Sequence, residues 1–201
     1  MAITIGIVGG VASGKSRVAA AFERLGAVVL NADSAGHAVL REPEVISAIR
    51  QQWGQGVIAP DGHVDRSAVA AIVFCPSREA DRRWLNELTH PRIRARLKEQ
   101  KLAAERRGVK AVVVDAALLF ESGWSELCDQ IVFVDTPIEQ RRRNAASRGW
   151  DDNEIGKREH TQLALEEKRR RSTCVIQNDG TLEELDAAVG ELFRKFATES
   201  K

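Results

Sequence analysis

The chain has 201 residues, with 30 lysines and arginines against 29 aspartates and glutamates, so its formal net charge is +1. Hydrophobic residues make up 43% and charged residues 29%, an ordinary balance for a soluble globular protein in which one core buries roughly 70% of the surface of the unfolded chain. Near-neutrality argues against a protein whose main business is coating nucleic acid or an anionic membrane, and few prolines without a long polar tract argue against disorder. Cys75, Cys128 and Cys174 are widely spaced, with no Cys-x-x-Cys pair and no His-x-x-x-His spacing. A structural zinc site or a disulfide framework is therefore a poor expectation, and the default for all three is packing. No basic leader precedes the first apolar segment and no apolar run approaches membrane-spanning length, so the expectation is a soluble, cytoplasmic protein without a membrane partner.

In chain order, Ile3 to Val8 reads as a strand: it is rich in isoleucine and lacks polar alternation, as strands covered on both faces do. A glycine-rich turn follows, then a helical pattern with Val18, Phe22 and Leu25 on one face and Gly26 as its stop. Ala27 to Leu30 is a second strand. The third, Ala111 to Val114, comes only after about eighty residues, far more than one crossover helix needs. Inside that interval Val45, Ile49 and Trp53 recur at helical spacing, Pro60-Asp61-Gly62 marks a turn, and a charged helix runs from about Pro91 to Arg107. The interval reads as a helical insertion on the sheet's edge, either a substrate-recognition element or a plain cover for the sheet. Ile131 to Val134 and Cys174 to Ile176 complete five strands, separated by an arginine-rich excursion at 140–171. Thr181 and Glu184 form a capping-box pattern before a last amphipathic helix carrying Leu185, Val189, Leu192 and Phe196. Five strands alternating with helices define an α/β fold, an open parallel sheet flanked by helices.

Gly9-Gly10-Val11-Ala12-Ser13-Gly14-Lys15-Ser16 fits Gly-x-x-x-x-Gly-Lys-[Ser/Thr], between the first strand and the first helix. Glycines let successive backbone N–H groups turn inward around phosphate oxygens, and the following helix adds its N-terminal positive end. Lys15 would reach the β- and γ-phosphates and the Ser16 hydroxyl can ligate Mg²⁺. By composition alone the pattern arises in a chain of this length roughly once in a hundred, and its strand–loop–helix setting reduces that further.

The second strand runs into Asn31-Ala32-Asp33. Ligands of open parallel sheets bind beyond the carboxyl ends of the strands, so Asp33 is a candidate to accept a proton from a substrate hydroxyl or to hold Mg²⁺-bound water. The alternative is an N-cap for a helix beginning near Ser34. Asp115, closing Val112-Val113-Val114, is a candidate Mg²⁺ acid or simply a polar strand end.

Several of these segments together resemble the dephospho-coenzyme A kinases. The resemblance rests on the phosphate loop, Asn31-Ala32-Asp33 with His37, Asp61-Gly62-His63-Val64-Asp65-Arg66 with Val73-Phe74, and His90-Pro91. It continues through Leu118-Leu119-Phe120-Glu121, Gln162, Glu167-Lys168 and Val175-Ile176-x-Asn178-x-Gly180, in order and over nearly the whole chain. It implies a P-loop kinase-like five-stranded parallel sheet in a single domain, with a helical CoA-side insertion at about 37–107 and a helical lid at about 140–171. The implied reaction moves the γ-phosphoryl group of ATP to the 3′-hydroxyl of dephospho-CoA, the last step of coenzyme A synthesis, with Mg²⁺ as cofactor. Asp33 matches the general base; Gly10, Val11, Ala12, Ser13, Gly14, Lys15, Ser16 and Arg17 match the ATP phosphate site, and Asn178 and Gly180 the segment near the adenine. His90 and Arg92, with Leu118 and Glu121, fall on the substrate side, although His90 can equally fix a turn before Pro91. The chain departs from the family at Ala12 (usually glycine), Arg17 (usually threonine), Asn31 (usually aspartate), Val8 (usually threonine) and Ala116-Ala117 (usually with proline).

The excursion at 140–171 holds ten lysines and arginines against six acids, whereas residues 172–201 hold three against six. Lid arginines closing on ATP would neutralise the moving phosphoryl group and exclude water. The resemblance puts Arg143 and Arg148 in that role, with Arg148 catalytic; the family's pair usually lies four apart and these lie five apart, which leaves open which of Arg141 to Arg143 points inward. Any single arginine there is otherwise a solvated helix residue paired with glutamate. Interleaved acids, and Trp150 as the sole aromatic of the excursion, argue against nucleic acid. The other readings are another small-molecule P-loop kinase, such as one acting on a nucleoside monophosphate, or a non-catalytic NTP-binding switch; no Asn-Lys-x-Asp guanine motif is present.

Overall fold

Short runs of valine and isoleucine become the strands because a parallel sheet covered on both faces has no solvent side to alternate with. In a computed structural model, which describes residues 2–75 and 77–199, the chain runs β1 (Ile3–Gly9), α1 (Lys15–Arg24), β2 (Val28–Asn31), α2 (Ala32–Val39), α3 (Pro43–Trp53), α4 (Arg66–Val73), α5 (Glu79–Arg106), β3 (Ala111–Asp115), β4 (Gln130–Asp135), α6 (Ile138–Ala146), α7 (Asp152–His160), α8 (Leu165–Arg170), β5 (Cys174–Gln177) and α9 (Leu182–Glu199). The strands form a five-stranded sheet in the order β2-β3-β1-β4-β5, with every neighbour parallel. β1 is central and all its residues are buried.

The chain divides into two compact units, residues 1–31 with 100–201, and residues 32–99. In the first, the sheet's Ile3, Ile5, Ile7, Val113, Val132 and Val134 pack with Val18 and Phe22 of α1 and Leu185, Val189 and Phe196 of α9. The Phe22 and Phe193 rings meet edge to face, 6.2 Å apart. α1 stops where expected, with Gly26 N–H donating to Glu23 O at 2.9 Å and Ala27 N–H to Phe22 O at 3.1 Å. α9 starts on the expected capping box: Glu184 N–H donates to Thr181 Oγ1 at 3.2 Å and Thr181 N–H to Glu184 Oε2 at 2.7 Å.

In the second unit, Val45 and Ile49 of α3 are fully buried. The Pro60-Asp61-Gly62 signal becomes a tight turn closed by Gly62 N–H to Ala59 O at 2.9 Å, with Ile58 and Val64 bridged antiparallel. Asp65 caps α4 by accepting from the N–H groups of Ser67 and Ala68 at 2.9 and 3.1 Å. The charged helix does not begin at Pro91. It begins at Glu79 and carries Pro91 in its interior. The earlier turns are anchored to α3: Trp53 Nε1 donates to Asp81 Oδ1 at 2.6 Å and the Trp53 and Trp84 rings meet at 5.1 Å. Proline removes a backbone donor and crowds the preceding turn. Side chains donate to carbonyls nearby, Thr89 Oγ1 to Leu85 O and Arg92 Nη1 to Leu88 O, both at 2.8 Å. All three cysteines are free thiols, and burial pushes that of Cys128 up to about 12.

Candidate nucleotide site

Turning a run of backbone N–H groups inward around an anion sends the loop's carbonyls outward, where each needs a donor. Around the turn from β1 into α1 five carbonyls have such donors. Gly10 O accepts from Ser13 N–H at 3.2 Å and from Lys15 Nζ at 2.9 Å, and Gly9 O from Lys15 Nζ at 3.4 Å. Ala12 O accepts from Asn144 Nδ2 at 2.9 Å. Ser13 O accepts twice, from Thr136 Oγ1 and Asn178 Nδ2, both at 2.8 Å. Gly14 O accepts from the N–H groups of Arg17 and Val18, which opens α1. Gly14 itself stands at φ 87°, the left-handed region that suits glycine, and a Cβ there would come within 2.5 Å of Asn178 Nδ2. The Ser13 hydroxyl is buried and has no hydrogen-bond partner among the described residues.

Beside the loop, Ser16 Oγ lies 3.5 Å from Asp115 Oδ2 at the end of β3. An exposed hydroxyl and a half-buried carboxylate offer only oxygen, the donor set a hard cation such as Mg²⁺ takes from protein while keeping its other positions for water and phosphate. Among the described residues no cluster of three or more His, Cys, Asp or Glu stands ready to hold a metal ion by itself.

The arginine that the helices set against the loop is Arg141. Its side chain is 8% exposed, is ion-paired with Glu159, and lies so close to Gly10 that a Cβ there would come within 2.5 Å of Arg141 Nη1. Arg143 and Arg148, expected as lid arginines, are both exposed. Arg143 Nη2 donates to Gln140 Oε1 at 2.8 Å, and the Arg148 guanidinium stands 5.4 Å from the centre of the Trp150 ring, with that of Arg158 at 4.1 Å. Helix phase explains the difference: Arg141 and Ala145 share the buried side of α6, and residue 143 is turned away by about 200°.

Asn178 is 8% exposed and spends its amide on Ser13 O, bracing the loop from behind. Gly180 lies in the short connection to α9. Leu118 is half-buried in the connection after β3. The Glu121 carboxylate accepts from Leu163 N–H at 2.5 Å and lies 3.7 Å from Lys168 Nζ. Lys168 is buried and donates to Gln162 Oε1 at 2.7 Å and Ala117 O at 3.3 Å; burial pulls its pKa down against the opposing pull of Glu121. Sequence reasoning missed Thr136, Asn144, Glu159 and the buried state of Lys168. Only Lys168 and Gln162 left a trace there, as part of the family resemblance.

In the second unit, Asp33 lies in the first turn of α2, which starts at Ala32, so it is not the cap of a helix beginning at Ser34. His90 lies inside α5, so no turn precedes Pro91 for it to fix. Arg92 lies 3.6 Å from Glu42, which also accepts from Arg96 Nε at 3.2 Å.

A parallel sheet in the order 2-3-1-4-5, with a glycine-rich loop leading from the central strand into a helix and an acid closing the neighbouring strand, defines a P-loop kinase. The structure of a shikimate kinase from Acinetobacter baumannii shares that fold at a TM-score of 0.54 and 13% identity, over 99% of this chain and 95% of that one. The family model for dephospho-CoA kinase matches residues 3–184. A dephospho-CoA kinase of Geobacillus kaustophilus is 42% identical over 189 residues, 92% of either chain. The crystal structure of TT1252 from Thermus thermophilus matches with a TM-score of 0.81 at 34% identity, over 96% of this chain and 97% of that one. The chain belongs to the dephospho-CoA kinase family.

Two predictions follow from the geometry. Gly14→Ala forces an L-residue into the left-handed region against Asn178, so calorimetric titration should show ATP affinity falling by about tenfold or more; unchanged affinity would remove the loop as the phosphate site. Burial holds His90 below its ordinary 6.5, so the unfolded chain binds that proton more readily than the folded one. Its contribution is complete above 6.5 and is lost as pH falls from there through the folded-state value. Between pH 7.5 and 5, the melting temperature of His90→Gln should therefore decline less steeply than that of the wild type.

Proposed function

We infer that the chain phosphorylates dephospho-CoA with ATP, giving coenzyme A and ADP. The observation that carries this is the braced phosphate loop at the end of β1 in a chain whose dephospho-CoA kinase match runs from residue 3 to residue 184. A match of that extent favours this reaction over a nucleoside monophosphate kinase or a non-catalytic switch.

In the proposed mechanism the segment from Gly10 to Arg17 holds the phosphates through those of its backbone N–H groups that no loop carbonyl takes, and Lys15 neutralises charge on the β- and γ-groups. The substrate's ribose 3′-hydroxyl loses its proton to the Asp33 carboxylate as its oxygen bonds to the γ-phosphorus, and the bond to the β–γ bridging oxygen breaks to release ADP. Support for Asp33 is its chain position, two residues beyond the carboxyl end of β2 and in a helix's first turn. Ser16 and Asp115 would hold Mg²⁺, which supplies charge neutralisation across the β- and γ-phosphates. Arg143 and Arg148 are the proposed lid arginines; each is engaged by a neutral group, an amide oxygen or an indole face, and so is free in charge to turn onto ATP. His90, Arg92, Leu118 and Glu121 are proposed on the CoA side, with residues 32–99 as the insertion that recognises it.

An ADP-coupled assay with dephospho-CoA, AMP, CMP or buffer alone tests the reaction: ADP release should depend on dephospho-CoA, and equal release without it would overturn the proposal. Asp33→Asn should bind ATP normally and lose about 10²–10⁴-fold in kcat; near-normal turnover would remove Asp33 as the base.

A further inference from the structure

The tip of the phosphate loop is closed off rather than open to solvent. Val11 and Ala12 are 6% and 7% exposed and pack against the buried Ala145 of α6 and Ile155 of α7, with Trp150 alongside. Ala12 stands at φ 58°, a left-handed conformation in a residue that carries a Cβ. An L-residue leaves that region readily unless its surroundings hold it there. Ala12 is held through its carbonyl, which accepts from Asn144 Nδ2 at 2.9 Å. Asn144 cannot turn its amide over without loss, because its Oδ1 accepts from Gln140 Nε2 at 3.0 Å, and Gln140 Oε1 in turn accepts from Arg143 Nη2 at 2.8 Å. With the oxygen occupied, only the Asn144 amino group is left to face Ala12. Arg141 and its partner Glu159 tie α6 to α7 over Gly10, so the helix that carries Asn144 is itself fixed beside the loop.

We propose that Asn144 is a positioning residue for the nucleotide: by holding the Ala12 carbonyl outward it keeps the strained turn in the form that aims the loop's N–H groups at the phosphates. It touches neither ATP nor the acceptor and acts through the loop. Gln140 sets the orientation of its amide. The proposal rests on the loop being the ATP site and adds the element that keeps the loop in shape despite an alanine at this position.

The test is a double-mutant cycle read by ATP titration calorimetry and by steady-state kinetics. Asn144→Asp keeps the shape of the side chain and the bond from Gln140 but has no proton to give Ala12. It should weaken ATP binding by about fivefold to tenfold, the worth of one lost hydrogen bond and an uncapped strained turn. The loss should fall on KM for ATP and leave KM for dephospho-CoA in place. Asn144→Ala should behave alike. In the Ala12→Gly background, where the left-handed turn needs no clamp, the same Asn144→Asp change should cost less than about twofold, whatever the affinity of that background. A purely structural role for Asn144 would lower the melting temperature equally in both backgrounds and give no such coupling. Unchanged ATP affinity in Asn144→Asp, or an equal loss in both backgrounds, would overturn the proposal. Failure of the wild-type chain to bind ATP at all would instead overturn the nucleotide reading beneath it, and the proposal with it.

Discussion

The constraint on which this structure turns is the direction of a few peptide groups. A loop that presents N–H groups to phosphate must point carbonyls into the protein, and an outward carbonyl without a donor costs as much as any lost buried hydrogen bond. All but one of these donors come from distant parts of the chain. Thr136 and Asn178 converge on Ser13 O, Asn144 on Ala12 O, and Lys15 on Gly10 O. The loop's shape is therefore a tertiary property, held from β4, β5 and α6 at once.

The sheet order makes that convergence possible. With β1 central and every strand parallel, all carboxyl ends gather at one edge of the sheet. Asp115 at the end of β3 lies on one side of the loop, and Thr136 and Asn178, just past β4 and β5, lie on the other. Asn178 reaches Ser13 because its own N–H is pinned to Asp135 O at 2.8 Å, in register with the end of β4. Slipping β5 by one residue would move that amide away from the loop and turn every β5 side chain to the other face. The hydrophobic core under α1 and α9 thus does more than stabilise the fold, since it sets the register that aims the braces.

What was legible in the sequence follows the range of the forces involved. Buried parallel strands leave unbroken runs of Val and Ile, and the capping box of α9 is local, so both were readable. The loop itself is a contiguous motif. Its braces are not: Thr136 and Asn144 lie 123 and 132 positions from their partners. That Arg141 is the buried one of three neighbouring arginines was illegible for a related reason. α6 is mostly charged or polar, and its Ile138 is 42% exposed, so no apolar stripe gave the phase of the helix. Pro91 misled because proline is commonest in a first helical turn, whereas here anchoring of Trp53 against Asp81 and Trp84 carries the helix through it.

The local charge excess divides the same way, into fixed and exchangeable parts. Arg141 is buried and paired with the half-buried Glu159, so withdrawing it would break an ion pair whose cation lies out of solvent. Arg142, Arg158 and Arg170 are engaged by Glu139, Glu154 and Glu167 at the surface, where solvent screens the attraction. Arg143 and Arg148 are engaged by neutral groups, so turning either onto a polyanion separates no ion pair that either one makes with those groups. The excess of ten bases over six acids between residues 140 and 171 therefore divides into one buried arginine beside the phosphate loop and others exposed at the surface.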